Sequence, residues 1–368
     1  MKKTIKSFIK NQTVLFIAII AMLITCIIIP PDDSYLEYFN FTTLATLFCT
    51  LSVVNAFADI HIFEIISKSI IVRLRNLRRA TFGIVFITFF GSMILANDMA
   101  LLTFLPLGYY LLKNTDNKQY MAYVFILQNI AANLGGMLTP FGNPQNLYLY
   151  SYYNIDTVKF MAIMFRPFIV STIVIIILCL FVKPVPLVLK NNNKYFLNLP
   201  KTVIYSFLFI FSILIVLRIF PYVLGTGIIT LLLIVMDRHA IKTVNYPLIL
   251  TFCAFFVFSG NMARIPEVHM LFNKILPIDT LFFGILSCQF ISNVPSAVLL
   301  SHFTNDYASL LPAVNIGGLG TLIASLASLI TFSEYRKHKP DDIRSYITKF
   351  SIINFAFVML LLITCKIH

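Results

Sequence analysis

The sequence predicts an all-α polytopic membrane protein, an inverted repeat with two re-entrant hairpins, two broken helices and nine full spans. Three observations predict it. Of 368 residues, 59% are hydrophobic and 12% charged, against roughly 25% charged in an average soluble protein. Apolar runs of spanning length or nearly so recur at 12–29, 41–58, 160–182, 203–219, 221–236, 246–260 and 347–364, leaving no room for a soluble domain. Basic residues gather in the short segments between them.

That gathering fixes the orientation. With the N-terminus in the cytoplasm, segments 1–11, 60–80, 113–118, 183–202, 237–245 and 333–349 hold 22 of the 28 Lys and Arg residues, as the positive-inside rule requires. The C-terminus then follows 347–364 on the outside. The net charge of +13 reads as a topology signal, and no nucleic-acid partner is expected. The N-terminal MKKTIKSFIK and its apolar run lack a small-residue cleavage site before PPDDSYLE, so they read as a retained first helix. Cys26, Cys49, Cys179, Cys253, Cys288 and Cys365 are scattered with no C-x-x-C spacing, so they indicate packing residues rather than disulfides or zinc.

The first hairpin, 80–112, follows from its flanks. Arg78 and Arg79 precede it and Lys113 and Lys118 follow it, so the chain enters and leaves on the same face. Each arm has about 16 residues, or about 24 Å of helix, short of a hydrocarbon core of about 30 Å. The tip falls at Asn97-Asp98. A second hairpin, 278–311, enters from the opposite face, with a polar break at Ser292-Asn293 and a helix-interrupting Pro295.

After each hairpin comes a helix with an interruption, at 119–150 and 312–332, and the interruptions align. The first reads NLGGMLTPFGNPQN and the second NIGGLGTLIASLAS. Asn133 matches Asn315, Gly135 and Gly136 match Gly317 and Gly318, Thr139 matches Thr321, and Asn143 and Asn146 match Ser325 and Ser328. The chain thus divides into repeats 1–189 and 190–368, the first lacking one opening helix.

Chemistry follows from the breaks. Gly135, Gly136, Gly142, Pro140 and Pro144 weaken the helix and free carbonyls, which membrane depth tolerates only where they line a cavity or bind something. Carbonyls with Asn, Thr and Ser side chains suit an alkali cation, whereas half-helix N-termini favour an anion. The plainer alternative, that Gly and Pro only kink packed helices, leaves the duplication unexplained.

At these residues the chain resembles the ion transporter superfamily of arsenite permeases, NhaD-type sodium/proton antiporters and divalent-anion/sodium symporters. The resemblance rests on ANDMALLTFLPL, NLGGMLTPFGNPQNLYL, ISNVPSAVLLSHF and NIGGLGTLIASLASLI, and the full set is most similar to the short anion-permease, citrate-transporter-like branch. It implies a scaffold domain that dimerises and a transport domain, carrying hairpins and breaks, that slides as an elevator. It also implies substrate or coupling-ion contacts at Asn97, Asp98, Ser292 and Asn293 on the tips, and at Asn133, Gly135, Gly136, Thr139, Pro140, Gly142, Asn143, Asn146, Asn315, Gly317, Gly318, Thr321, Ser325 and Ser328 in the breaks. Sodium is expected near Asn97, Asp98 and Gly142, and near Asn293 and Ala324; sodium or protons serve as coupling ion, with no cofactor. Dicarboxylate symporters carry Ser-Asn-Thr at each tip; here the tips read Ala-Asn-Asp and Ser-Asn-Val. A carboxylate substrate about 4 Å from an ionised Asp98 would be repelled by about 4 kcal/mol at an effective dielectric of 20, so Asp98 must be protonated or cation-paired for it to bind.

The remaining polar residues have modest readings. Asp98 is the leading functional residue, because a carboxylate inside a membrane is costly; capping the second hairpin helix is its other reading. Asp59 reads as interfacial, ahead of an amphipathic surface helix holding Glu64, Lys68 and Arg73. Arg166 lies near the outer end of its span, where it can snorkel outward. His61, His239, His269, His302, His338 and His368 lie in loops, near membrane edges or at the end of the chain. No hydrolase motif surrounds Ser292 or Ser296. The expected function is an inner-membrane secondary transporter of a small inorganic or carboxylate anion or an oxyacid. A sodium/proton antiporter is the alternative, with a channel or an intramembrane enzyme further off.

Overall fold

Interruptions, more than propensity, decide where the helices begin and end. The computed structural model describes residues 13–62, 65, 74, 76–114, 117–186 and 197–367. The basic segment 1–11, His368 and the surface helix expected around Glu64, Lys68 and Arg73 lie outside the described residues. Within them run α1 (Thr13–Ile28), α2 (Phe41–Asp59), α3 (Leu77–Ser92), α4 (Asn97–Asn114), α5 (Met121–Gly135), α6 (Pro144–Tyr152), α7 (Thr157–Leu180), α8 (Leu199–Val216), α9 (Tyr222–Met236), α10 (Arg238–Lys242), α11 (Tyr246–Arg264), α12 (Pro266–Ile275), α13 (Thr280–Ile291), α14 (Asn293–Ser301), α15 (Tyr307–Ile316), α16 (Leu326–His338) and α17 (Ile343–Lys366).

Short polar side chains start many of these helices. Asn40 Oδ1 accepts the Thr43 N–H at 2.9 Å, Asn76 Oδ1 the Arg79 N–H at 2.9 Å and Asp279 Oδ1 the Phe282 N–H at 2.9 Å. Each satisfies a donor that a helix start would leave bare. Among the described residues, six helical stretches are long and apolar enough to cross a membrane: Phe41–Asp59, Lys118–Leu138, Thr157–Leu180, Leu199–Val216, Tyr246–Arg264 and Pro340–Lys366. Leu15–Ile28, Tyr222–Met236, Thr280–Ile291 and Tyr307–Ile316 are apolar but shorter.

Four apolar packing groups form among the described residues, and two of them organise the chain. In the smaller, Cys49, Val53 and Ala56 of α2 meet Tyr205 and Leu208 of α8, Ile229 and Leu233 of α9, and Ala240 of α10; α1 packs beside α11. The larger joins both hairpins, both interrupted helices, α7 and α17 in one apolar core. Its centre is α5: 89% of the Lys118–Leu138 span is buried, against 28% for Leu199–Val216 and for Pro340–Lys366. An apolar helix exposed to that degree fits a lipid environment, and a nearly enclosed one a protein interior.

The hairpins are real pairs: α3 packs on α4 and α13 on α14. With 12 and 9 residues, α13 and α14 reach only about 18 and about 14 Å, well short of a bilayer core. The first hairpin extends slightly beyond 80–112. The second stops earlier than 278–311: α14 ends at Ser301, and residues 307–311 belong to α15, because Asp306 caps a new helix there through the Ser309 N–H at 3.1 Å.

One ion pair fastens α10 to α2. His239 Nδ1 lies 2.8 Å from Asp59 Oδ2, and that hydrogen bond, with the nearby negative charge, raises the His239 pKa above its ordinary 6.5. A raised histidine stabilises the fold fully below its unfolded pKa and stops doing so as pH climbs through the raised value. Thermal unfolding scans are therefore expected to show a small, salt-sensitive loss of stability as pH rises above about 6.5. His239→Gln should flatten it.

Candidate functional site

Both hairpin tips and both helix breaks meet in the larger core. The chain reverses over residues 93–96 between α3 and α4. Between α13 and α14 it reverses at Ser292 alone, whose φ of 75° is one that side-chain-bearing residues rarely adopt; such strain costs about 1–3 kcal/mol and concentrates at functional positions. The first interrupted helix stops at Gly135, passes through a 3-10 turn at Gly136–Leu138 and resumes at Pro144. The second stops at Ile316 and resumes at Leu326, with Gly320 at φ 98° between them.

Amides stitch these pieces together. Asn97 Nδ2 donates to Asn133 Oδ1 at 3.1 Å, joining the first tip to the first break. Asn143 Nδ2 donates to Asn133 O and to Asn315 Oδ1, both at 3.0 Å. Asn315 Nδ2 donates in turn to Asn146 Oδ1 at 2.6 Å, and Asn146 Nδ2 reaches Gly136 O, Met137 O and Thr139 O at 3.2 Å each. Gly318 sits between the halves: a Cβ there would lie 2.9 Å from Asn293 Nδ2 and 3.5 Å from Asn133 Oδ1. Asn97 and Asn293 are thus separated by little more than Asn133 and a glycine.

The same bond occurs twice in corresponding places. Thr139 Oγ1 donates to Met93 O at 3.1 Å and Thr321 Oγ1 to Gln289 O at 3.1 Å, each acceptor lying four residues before the tip asparagine. Packing corresponds as well: α4 lies against α16 of the other half, and α14 against α6.

Of the residues singled out in the sequence, Asn97, Asp98, Asn133, Gly135, Gly136, Pro140, Gly142, Asn143, Asn146, Asn293, Asn315, Gly317, Gly318, Ser325 and Ser328 are buried, and Thr139, Ser292 and Thr321 half-buried. Asp98 is the one charged side chain buried among the described residues. It lies in the first turn of α4, one residue past the helix start, where an anion interacts favourably with the helix dipole. Its carboxylate has no ion pair or side-chain hydrogen bond among the described residues. Pro140 fills the turn of the first break and Ser325 Oγ caps α16 through the Ser328 N–H at 3.2 Å. Ala324 O, expected beside a cation, accepts the Asn293 N–H at 2.9 Å and the Ser292 hydroxyl at 3.3 Å.

Four polar residues outside the sequence-predicted set belong here. Asn129, fully buried, donates to Ser328 Oγ at 3.3 Å; its position one turn before Asn133 was the available signal. Gln145 Nε2 reaches Asn315 Oδ1 at 3.3 Å. Gln128 Nε2 bridges Thr88 Oγ1 and Phe104 O of the first hairpin at 3.2 and 2.9 Å. Gln289 spans the second break, donating to Gly317 O at 2.9 Å and Leu319 O at 3.1 Å while Oε1 accepts the Thr321 N–H at 2.9 Å. Gln289→Leu strands those three groups at about 1–3 kcal/mol apiece; a melting temperature lowered by several degrees in detergent is the expected result.

Buried amides where two hairpin tips meet two helix breaks define a polytopic membrane protein of the transporter class. A family model described as citrate transporter matches residues 5–331, and the chain belongs to that family, in agreement with the resemblance read from its motifs. It is similar to the uncharacterized transporter MJ0456 of Methanocaldococcus jannaschii, 32% identical over 318 residues that cover 86% of this chain and 87% of that protein. It is also similar to the inner membrane protein YbiR of Escherichia coli, 25% identical over 272 residues, 73% of each chain.

Proposed function

We propose that the protein is a secondary active transporter of the inner membrane, moving a small inorganic or carboxylate anion or an oxyacid in company with sodium or protons. The single observation that carries this reading is the gathering of four helix starts around the central amides: Asn97 of α4 and Asn143, ahead of Pro144 in α6, bond into the network, Ser328 in the first turn of α16 accepts from Asn129, and Asn293 of α14 lies across Gly318 from Asn133. Each helix start contributes about half a positive charge, which favours an anion between them. Asp98 and the break oxygens supply the negative partner for a cation. A bound cation offsets the repulsion between Asp98 and an anionic substrate, which is a physical route to coupling. The family description favours carboxylates within the anion class.

In this reading the chain is an inverted repeat of 1–189 and 190–368, with the N-terminus inside and the C-terminus outside. Nine spans come from the six long helices with α1, α9 and the interrupted pair α15–α16. The hairpins and breaks move as one body past a scaffold containing α2, α8 and α9, and the protein works as a homodimer. The recurring Thr139 and Thr321 hydrogen bonds support the repeat. Uptake of labelled citrate, shorter dicarboxylates, phosphate and arsenite into proteoliposomes, under an imposed sodium or pH gradient, tests the reading. No gradient-driven accumulation of any of them would remove it.

A sodium/proton exchanger is the second reading, favoured by Asp98 being the one buried charge among the described residues. A sodium gradient that shifts lumenal pH with no transportable anion present decides for it.

A further inference from the structure

Beyond its packing on α2, α6 is fastened by polar groups at the end far from its break. α8 packs on α2 and α9, yet from the turn that follows it Arg218 reaches across to the end of α6. Its Nη2 donates to Tyr150 O and its Nη1 to Asn154 Oδ1, and the guanidinium lies 4.2 Å from the centroid of the Tyr150 ring. Close by, Ser151 Oγ donates to Asn40 Oδ1 at 3.2 Å, the same oxygen that caps α2. Tyr150, Ser151 and Asn154 are thus tied at two points to α2 and α8, which with α9 make up the smaller packing group.

Both partners in the Arg218 contact stand on unusual backbone. Arg218 has φ 60° and Asn154 φ 50°, in the left-handed region that an asparagine tolerates and an arginine rarely enters. Strain of this kind persists only where surrounding contacts over-determine it, and it gathers at segments that switch. A planar guanidinium with several donors grips a carbonyl, an amide oxygen and a ring face at once. Arg218 and Asn154 are also exposed, so water takes over each bond when the contact opens. Such a wet, polar contact parts and re-forms more readily than interlocked apolar side chains.

We propose that Arg218 and Asn40 form a clip that holds the body of hairpins and breaks at one end of its travel along the scaffold, and that the clip opens at every stroke. This deepens the transport reading and rests on it for the movement itself. Hydrogen bonds weaken steeply beyond their normal distances, so a slide of one body along the other longer than the slack of these side chains breaks both points. Arg166 supplies the contrast. Its Nη1 donates to Ile367 O, but α7 and α17 share the larger core, so that bond stays closed as the body moves.

The test is a double electron–electron resonance measurement on the full chain in detergent. Nitroxides are placed on Val158→Cys at the start of α7 and Val235→Cys near the end of α9, both exposed, and the parent without this pair supplies the background of the native cysteines. One dominant distance is expected. Arg218→Gln should raise the share of a second distance at least threefold. Asn154→Gly, which keeps the left-handed backbone and loses only the gripped oxygen, should do the same, whereas Arg166→Gln should leave the distribution unchanged. Distances unmoved by Arg218→Gln and Asn154→Gly, or moved equally by Arg166→Gln, overturn the proposal. No substrate or gradient enters the measurement. Uptake with unmoved distances therefore removes the clip alone, and moved distances without gradient-driven uptake remove the transport reading and leave the clip standing.

Discussion

Asp98→Asn is expected to lower cation-coupled uptake about a hundredfold while leaving the protein folded. The variant keeps the side-chain volume and a hydrogen-bonding end, so α4 retains its packing. It removes the one charged side chain buried among the described residues. With a coupling cation bound beside Asp98, as the transport reading requires, deleting the carboxylate breaks a buried ion pair, which costs about 3–5 kcal/mol, and about 1.4 kcal/mol corresponds to a factor of ten. Initial rates in proteoliposomes, normalised to monodisperse protein, check it; uptake within threefold of wild type would take Asp98 out of the mechanism.

Gly318→Ala is expected to bring uptake to background with a smaller effect on stability. The added carbon would stand 2.9 Å from Asn293 Nδ2 and 3.3 Å from Asn315 O. Asn293 must then swing off its tip position or the break must open. Overpacking of this kind costs about 1–3 kcal/mol, tolerable for the fold and severe for a site that depends on both tips. Gly227→Ala is the matching control, because a Cβ there meets nothing within 4 Å and should leave uptake and melting unchanged. Equal losses in the two variants would show that general destabilisation, not the tip, sets the rate.

Much of this architecture was legible in the residues. Basic flanks around 80–112 announced a chain that turns back, and α3 and α4 pack together as that requires. Matched Gly pairs announced the breaks, and the helices stop at Gly135 and Ile316. The far limit of the second hairpin was not legible: one apolar texture runs through both α14 and α15, and only the cap at Asp306 separates them. Nor were Gln128, Gln145 and Gln289 distinguishable, since a glutamine in an apolar stretch carries no period or spacing of its own. Their roles arise from groups more than 20 residues away, such as Gly317 O for Gln289 and Asn315 Oδ1 for Gln145. Asn129 could have been found, one turn ahead of Asn133 on the same helix face.

The crossed packing, with α4 on α16 and α14 on α6, also bears on how the molecule is made. When the ribosome has delivered the early part of the chain, the faces of α4 and α6 that these later helices cover are still bare. Amides such as Asn143, whose acceptor is Asn315, must wait in the bilayer or at its insertion machinery for synthesis to finish. Biogenesis therefore passes through an unfinished stage that is open to quality-control proteases until α14 and α16 arrive.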